Sequence, residues 1–408
     1  MRGIVVILIM VLVTVFILGA CAKPTVSPVL EPPPTSLPSP QPTGPETVSF
    51  PDENLEAAIR DALSKPKGEE ITVSELAQLT ELCYAGRSIT NISGLEYCSS
   101  LTLLALSGNQ IEDISPLSSL TNLTSLSLSR AHISDVSPIS SLTNLTTLLL
   151  GSNQISDLSP LASLTNLTEL HITRNQIVDL SPLSSLNNLN TIDLRHNQIS
   201  DISPLSSLTN LTSLSLGSNQ ISDIYPLTSL TNLASLGLNN NQISDISLLS
   251  SLTNLTELYI HENQITDLSP LSSLTNLSVI FIDGNQINNI SALSHLTNLT
   301  TLYLDGNQIS DISPLSSLTN LYWLSMSWNQ VSDISFLSSL TNLMWLDLCG
   351  NQISDISPLI ENNGLGAGDE LWLKGNNLDL LEGSEATEDI KALEDRGVMV
   401  YLHDEPTR

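Results

Sequence analysis

An asparagine returns every 22 residues along most of this chain, and that interval constrains the fold more than anything else in the sequence. The series runs Asn109, Asn153, Asn175, Asn197, Asn219, Asn241, Asn263, Asn285, Asn307, Asn329 and Asn351, broken only by Ala131. The apolar frame around it is equally fixed, as in Leu145, Leu148, Leu150, Ile155, Leu158, Leu161 and Leu164 about Asn153. A period kept this strictly predicts a stacked solenoid, in which each repeat buries its apolar residues against its neighbours alone. Such an object offers a long surface for binding and has no cleft built for chemistry.

Within a repeat, the alternation at Leu148 and Leu150 fits a short strand whose successive side chains face opposite ways. Strands recurring once per repeat would stack in parallel at about 4.8 Å. The asparagine falls where the chain leaves the strand, and its amide can donate to one turn and accept from the next. A second asparagine column runs through Asn122, Asn144, Asn166, Asn188 and Asn210. The return segment, Asp201–Leu205 for example, places Ser203 as a helix cap before Pro204 at the first helical position. It is too short for more than a 3₁₀ or single-turn helix.

These residues resemble the 22-residue leucine-rich repeats of the bacterial internalin family. The resemblance extends to the helical N-terminal cap of that family, at Phe50–Ile59 and Ile71–Leu76. There Asp52 is a candidate N-cap, Leu55, Ile59, Ala62 and Leu63 form an apolar stripe, and Thr72-Val-Ser-Glu75 reads as a capping box. It implies an α/β solenoid: a leucine-rich repeat horseshoe with a parallel sheet on its concave face and short 3₁₀ or helical turns on the convex one. The domain division that follows is a cap at 48–82, a repeat array at 83–360, and a last repeat with C-terminal cap at 361–408. At that end the period slips, Asn376 standing 25 residues after Asn351. Ile390–Arg396 and Val398–Leu402 are expected to close the stack.

The first residues read as an export signal. Arg2 and an apolar run from Ile4 to Leu18 precede Leu18-Gly-Ala-Cys21, which resembles the bacterial lipobox. Residues 1–20 are then a lipoprotein signal peptide and Cys21 the site of lipid attachment, the competing reading being an uncleaved membrane helix. Residues 21–47 form a Pro-rich stalk that favours extended polyproline II. The expected location is the outer face of a bacterial membrane, with the anchor as the sole membrane contact.

The chain carries 42 acidic and 13 basic residues, a formal charge of −29, which argues against nucleic acid as a ligand. Much of the charge is an aspartate column, Asp113, Asp135, Asp157 and onward to Asp355, whose carboxylates are placed to accept from turn amides. Register sets Cys98 in the core and Cys83 outward, which argues against a bridge between them. Cys349 reads as a free outward thiol. The Asn-x-Ser/Thr sequons, such as Asn122-Leu-Thr124, fall on the second asparagine column and follow from the repeat.

Register also assigns the outward sheet positions, two, four and six residues before each asparagine, with the residue immediately before it at the rim. Most are small or polar. The exceptions gather: Arg130, Arg174 and Arg195 beside His171 and His196, then Tyr259, Phe281, Tyr303, Trp323, Trp328, Trp345 and Trp372. Every tryptophan of the chain is among them, and outward aromatics with arginine are the composition of interface hot spots. The expected ligand-binding set is Arg174, Arg195, Tyr259, Phe281, Tyr303, Trp323, Trp328, Trp345 and Trp372. His171, Asp193 and Ser215 share a column, but a triad needs its histidine in the middle. His261, Asp283 and Asp305 share another, and a straight column is not a metal's coordination shell. The expectation is therefore no enzyme, no metal and no cofactor. A monomeric surface protein would bind a protein ligand on its concave face, with carbohydrate binding as the alternative.

Overall fold

The computed structural model describes residues 46–402, in two compact units that divide after Ile177. Cys21, the apolar leader and the Pro-rich stretch before residue 46 lie outside the described residues.

The first unit opens with a cap. Thr47–Val48 pairs antiparallel with Ile71–Thr72, and the helix Glu53–Ala62 buries Leu55, Ala58, Ile59 and Ala62. Ala58 completes the stripe where Leu63 was expected, because Leu63 is already the helix C-cap. One oxygen of Asp52 accepts the amides of Asn54 and Leu55, as an N-cap does. Its other oxygen accepts those of Thr90 and Asn91 in the first repeat, so a single carboxylate ties cap to array. Thr72 and Glu75 form the expected capping box. The strands Glu81–Cys83, Leu103–Ala105, Ser125–Ser127, Thr147–Leu149 and Glu169–His171 then run parallel, each shifted one repeat from the last.

The second unit continues the pattern from Thr191–Asp193 to Trp345–Asp347, all parallel and in the same register. It closes with Glu370–Trp372, the helix Glu385–Asp395 and the strand Met399–Tyr401. The closing helix begins earlier than the sequence suggested, capped by Ser384, whose hydroxyl accepts from the Thr387 amide. The slip in period before it is absorbed around Gly364, where a Cβ would run into the Thr341 carbonyl.

In both units the repeat works the same way. Leucines and isoleucines of the frame are fully buried. Asn153 shows what the asparagine does: its Oδ1 accepts from the Ala131 and Ile133 amides one repeat back, and its Nδ2 donates to the Leu128 and Leu150 carbonyls. Each asparagine thus joins two consecutive turns, and most of them, Asn219 and Asn241 excepted, do so buried from water. The second column makes a lighter bond, one side-chain amide to the carbonyl 23 residues earlier, as in Asn144 to Thr121.

The return segments are 3₁₀ turns such as Ser203–Ser207. Ser203 is not their cap. It is the first residue of the turn, and Asp201 two residues earlier accepts its amide at 2.8 Å. The aspartate column does this repeatedly, at Asp113, Asp135, Asp157, Asp179, Asp245 and beyond. Serine is too short to reach forward in so tight a turn, whereas a carboxylate on the preceding extended residue spans the gap. Hydrogen bonds from Ser159 hold the Asp157 carboxyl below the ordinary aspartate value, and those from Ser203 do the same at Asp201.

Candidate recognition face

The outward positions form one face of each sheet. In the first unit, His171 Nε2 meets Glu169 Oε1 at 2.7 Å within its own strand, and Arg174 is exposed. In the second unit, Arg195 grips Asp193 with two nitrogens, Nη2 to Oδ2 at 2.6 Å and Nε to Oδ1 at 2.9 Å. His171 and Asp193 each have a charged partner within their own repeat. Much of Arg195's charge is already answered inside its own strand.

Further along the second unit, the aromatic side chains come together. Tyr259 and Phe281 stack at 5.3 Å between centroids, and Phe281 and Tyr303 at 4.3 Å with planes 10° apart. Parallel strands in register bring equivalent positions within ring-stacking distance, so one aromatic per repeat becomes a ladder. At the next step the ladder changes column. Ser325 replaces the ring, and Trp345 of the strand after it reaches across to Tyr303 at 5.8 Å. Ser325, between their strands, is 1% exposed in spite of its outward position, its hydroxyl donating to Asp305. Trp323 lies beside Tyr322 at 6.0 Å, and Trp372 stacks on Tyr401 at 4.0 Å. The rings are therefore half-buried against one another rather than free.

Trp328 is the exception, 68% exposed. It occupies the rim position before Asn329, and that position has a left-handed backbone in repeat after repeat: Gly86, Arg130, Ser152, Arg174, His196, Ser218, Asn240, Glu262 and Trp328. Glycine or asparagine tolerates this geometry, while a bulky residue pays for it with about 1–2 kcal/mol. Trp328 has φ 56°. Its ring lies over Gly350, the rim residue of the next repeat, where any Cβ would stand 2.6 Å from Cε3. A strained, exposed tryptophan above an obligatory glycine is a surface feature that core packing does not require.

Carboxylates line the same face. Asp305 accepts from Ser327 N at 2.6 Å, Ser327 Oγ at 2.8 Å and the Ser325 hydroxyl. Burial pushes its carboxyl up against those bonds. Asp283 is pushed up to about 6 by burial, partly offset by a backbone amide and reinforced by the charges of Asp305 and Glu262. Burial drives the His261 imidazole down, so this neighbour offers Asp283 no cation near neutral pH. Among the described residues, His, Cys, Asp and Glu side chains do not assemble in threes as a metal site.

The sign of the Asp283 shift yields a stability prediction. The folded state holds a proton that the unfolded chain has already lost above about pH 4, so stability falls as pH rises through about 6. Asp283→Asn should accordingly stabilise the protein by about 1 kcal/mol near neutral pH, after allowance for solvent screening. Thermal melts of both forms should converge as pH approaches about 4; a constant gap across that range would refute the assignment.

Two features of the face were not legible in the residues alone, and a third was legible only in part. Tyr401 stacks on Trp372 across an interval that the slipped period concealed. Tyr322 and Met344 are exposed where other repeats carry a threonine whose hydroxyl bonds the preceding repeat, as Thr300 does. The left-handed rim could have been found from its composition, since Gly108, Gly284, Gly306, Gly350 and Gly375 share that register. Cys98 is buried and unbridged, so no Cys83–Cys98 disulfide forms, and Cys349 is likewise a free thiol.

Comparison with known proteins agrees with the geometry. The family model for leucine-rich repeats in tandem copies matches overlapping segments from residues 99–141 through 297–339. An internalin of Listeria monocytogenes, InlF, is 43% identical, with a TM-score of 0.75, over 77% of this chain and 94% of that one. A leucine-rich repeat protein of Leptospira interrogans, 23% identical with a TM-score of 0.65, covers 80% of this chain and 97% of its own and shares the fold. No curated protein matches the chain. Repeat, register and relatives agree, and the chain belongs to the internalin-like leucine-rich repeat proteins.

Proposed function

We propose that this chain is a membrane-anchored, extracytoplasmic recognition protein that binds a protein ligand on the outward sheet face of its second unit. The observation that carries this reading is the aromatic ladder from Tyr259 to Trp345 with Trp328 held exposed at its rim. Large rings placed on a sheet face, flanked by polar positions, are what interfaces use as anchors. His261 Nδ1 and Trp372 Nε1 add support, as buried atoms of the face with no hydrogen-bond partner among the described residues. Buried polar atoms are ordinarily satisfied, so these two mark the face as a place that core packing alone does not complete. The binding set is centred on Tyr259, Phe281, Tyr303, Trp323, Trp328, Trp345 and Trp372. Arg195 is a weaker member because Asp193 already holds it, and Arg174 is assigned to the first unit's own surface.

The ring geometry favours protein over glycan. A sugar packs against an open ring face, and the Phe281–Tyr303 stack covers the faces it would need. Only Trp328 keeps a broad exposed surface. Arraying the purified protein against cell-surface proteins and glycans tests the reading directly. A protein ligand that is lost on Trp345→Ala is expected; a glycan bound through Trp328 alone would overturn it.

Anchoring rests on Leu18-Gly-Ala-Cys21 after its apolar run. Cys21→Ser should abolish incorporation of labelled fatty acid and leave the unprocessed precursor. Labelling that persists in the variant would sink the lipid anchor and leave the recognition face untouched.

A further inference from the structure

The second unit's sheet face combines aromatic rings with carboxylates in a stretch that holds no lysine or arginine of its own. The gap runs from Arg195 to Lys374. Over the same stretch the outward and rim positions carry Glu257, Glu262, Asp283, Asp305, Asp347 and Glu370. These are not the aspartates of the return turns, which are spent as caps. Asp283 and Asp305 have no ion-pair partner among the described residues. Both are half-buried beside the rings, where water screens a charge less than at an open surface. We infer that the partner of this face is a basic protein segment, whose lysine or arginine stems run along the edges of the Phe281, Tyr303 and Trp345 rings, needing no open ring face, while their charged heads reach Asp283, Asp305 and Asp347. This rests on the reading of the face as a recognition surface and specifies the chemistry of what it takes.

Charge complementarity commits the occupant. An acidic segment would be repelled by every ionised group on the face, and a purely apolar one would bury carboxylates without compensation. Long basic side chains meet both demands, because an alkyl stem covers apolar surface while its head stays with the charge. Arginine adds a planar head that pairs with a carboxylate through two bonds.

The test uses the full chain and two probes, a short peptide alternating arginine with glycine and its glutamate counterpart. The arginine peptide should bind and the glutamate peptide should not, with binding that weakens as salt is raised. Asp283→Asn combined with Asp347→Asn should weaken it about tenfold or more. Glu361→Gln combined with Glu382→Gln, the same charge loss away from the sheet, should leave it unchanged. Equal losses in both double variants would reduce the effect to net charge and overturn the inference. So would an array ligand that depends on Trp345 yet binds through a neutral or acidic segment, a result that keeps the recognition reading. Absence of any ligand depending on Trp345 would instead remove that reading.

Discussion

Trp345→Ala should weaken binding of the captured protein ligand by about 2 kcal/mol or more while leaving the melting temperature nearly unchanged. The reason lies in what the ring touches. Trp345 meets Tyr303 at 5.8 Å, at the open end of the ladder, and it belongs to a strand whose buried leucines, Leu346 and Leu348, are unaffected by its loss. Phe281→Ala should behave differently. That ring is stacked on both sides, by Tyr259 and by Tyr303, so its removal should lower stability by about 1–2 kcal/mol as well as affinity. Measuring affinity and melting on both variants separates an anchor from a spacer. Intact affinity in Trp345→Ala would move the site off the ladder, and unfolding of that variant would make the ring structural.

The sequence carried the fold well because the repeat allows so little freedom. Once strand and asparagine each recur every 22 residues, register decides which leucines face inward and which positions face outward, and the parallel pairing of Trp323 with Trp345 or Tyr259 with Phe281 follows. What register could not give was the behaviour of side chains on the outside. It placed Tyr303 and Trp345 in different columns, two strands apart, whereas long rings lean across an intervening serine to meet. It also assigned the turn cap to Ser203 from local residue preference, and the tighter geometry of the 3₁₀ turn transferred that role to Asp201. The left-handed rim is signalled where glycine holds the position, as at Gly108 and Gly306, and masked elsewhere, because arginine, histidine, glutamate and tryptophan are poor signals for such a backbone. They adopt it because the neighbouring repeats leave no other path. The same rim that costs energy at Trp328 holds that ring outward, so strain and candidate function coincide at one residue.

The asparagine column itself supports the other large effect. Asn153→Ala should cost about 3 kcal/mol, against about 0.5 kcal/mol for Asn144→Ala, although both remove one amide from a solenoid turn. Asn153 serves two amides and two carbonyls in adjacent repeats, all inside the stack. Alanine would strip the Ala131 and Ile133 amides and the Leu128 carbonyl of this partner in a place where water cannot replace it, the Leu150 carbonyl alone keeping a bond from Asn175 Nδ2, and a buried unpaired group costs more than a lost bond at the surface. Asn144 makes a single exposed bond to the Thr121 carbonyl, which solvent can take over. Ala131 shows that one gap in the column is survivable, and it shows the accommodation needed. His132 there adopts a left-handed backbone as well as Arg130, the same pairing that Gly86 and Ser88 make around Arg87, where the asparagine is likewise missing. Chemical denaturation of the two variants provides the comparison. Equal losses would mean that the inner column contributes no more than a surface bond, and the 22-residue asparagine would then need an explanation other than stability.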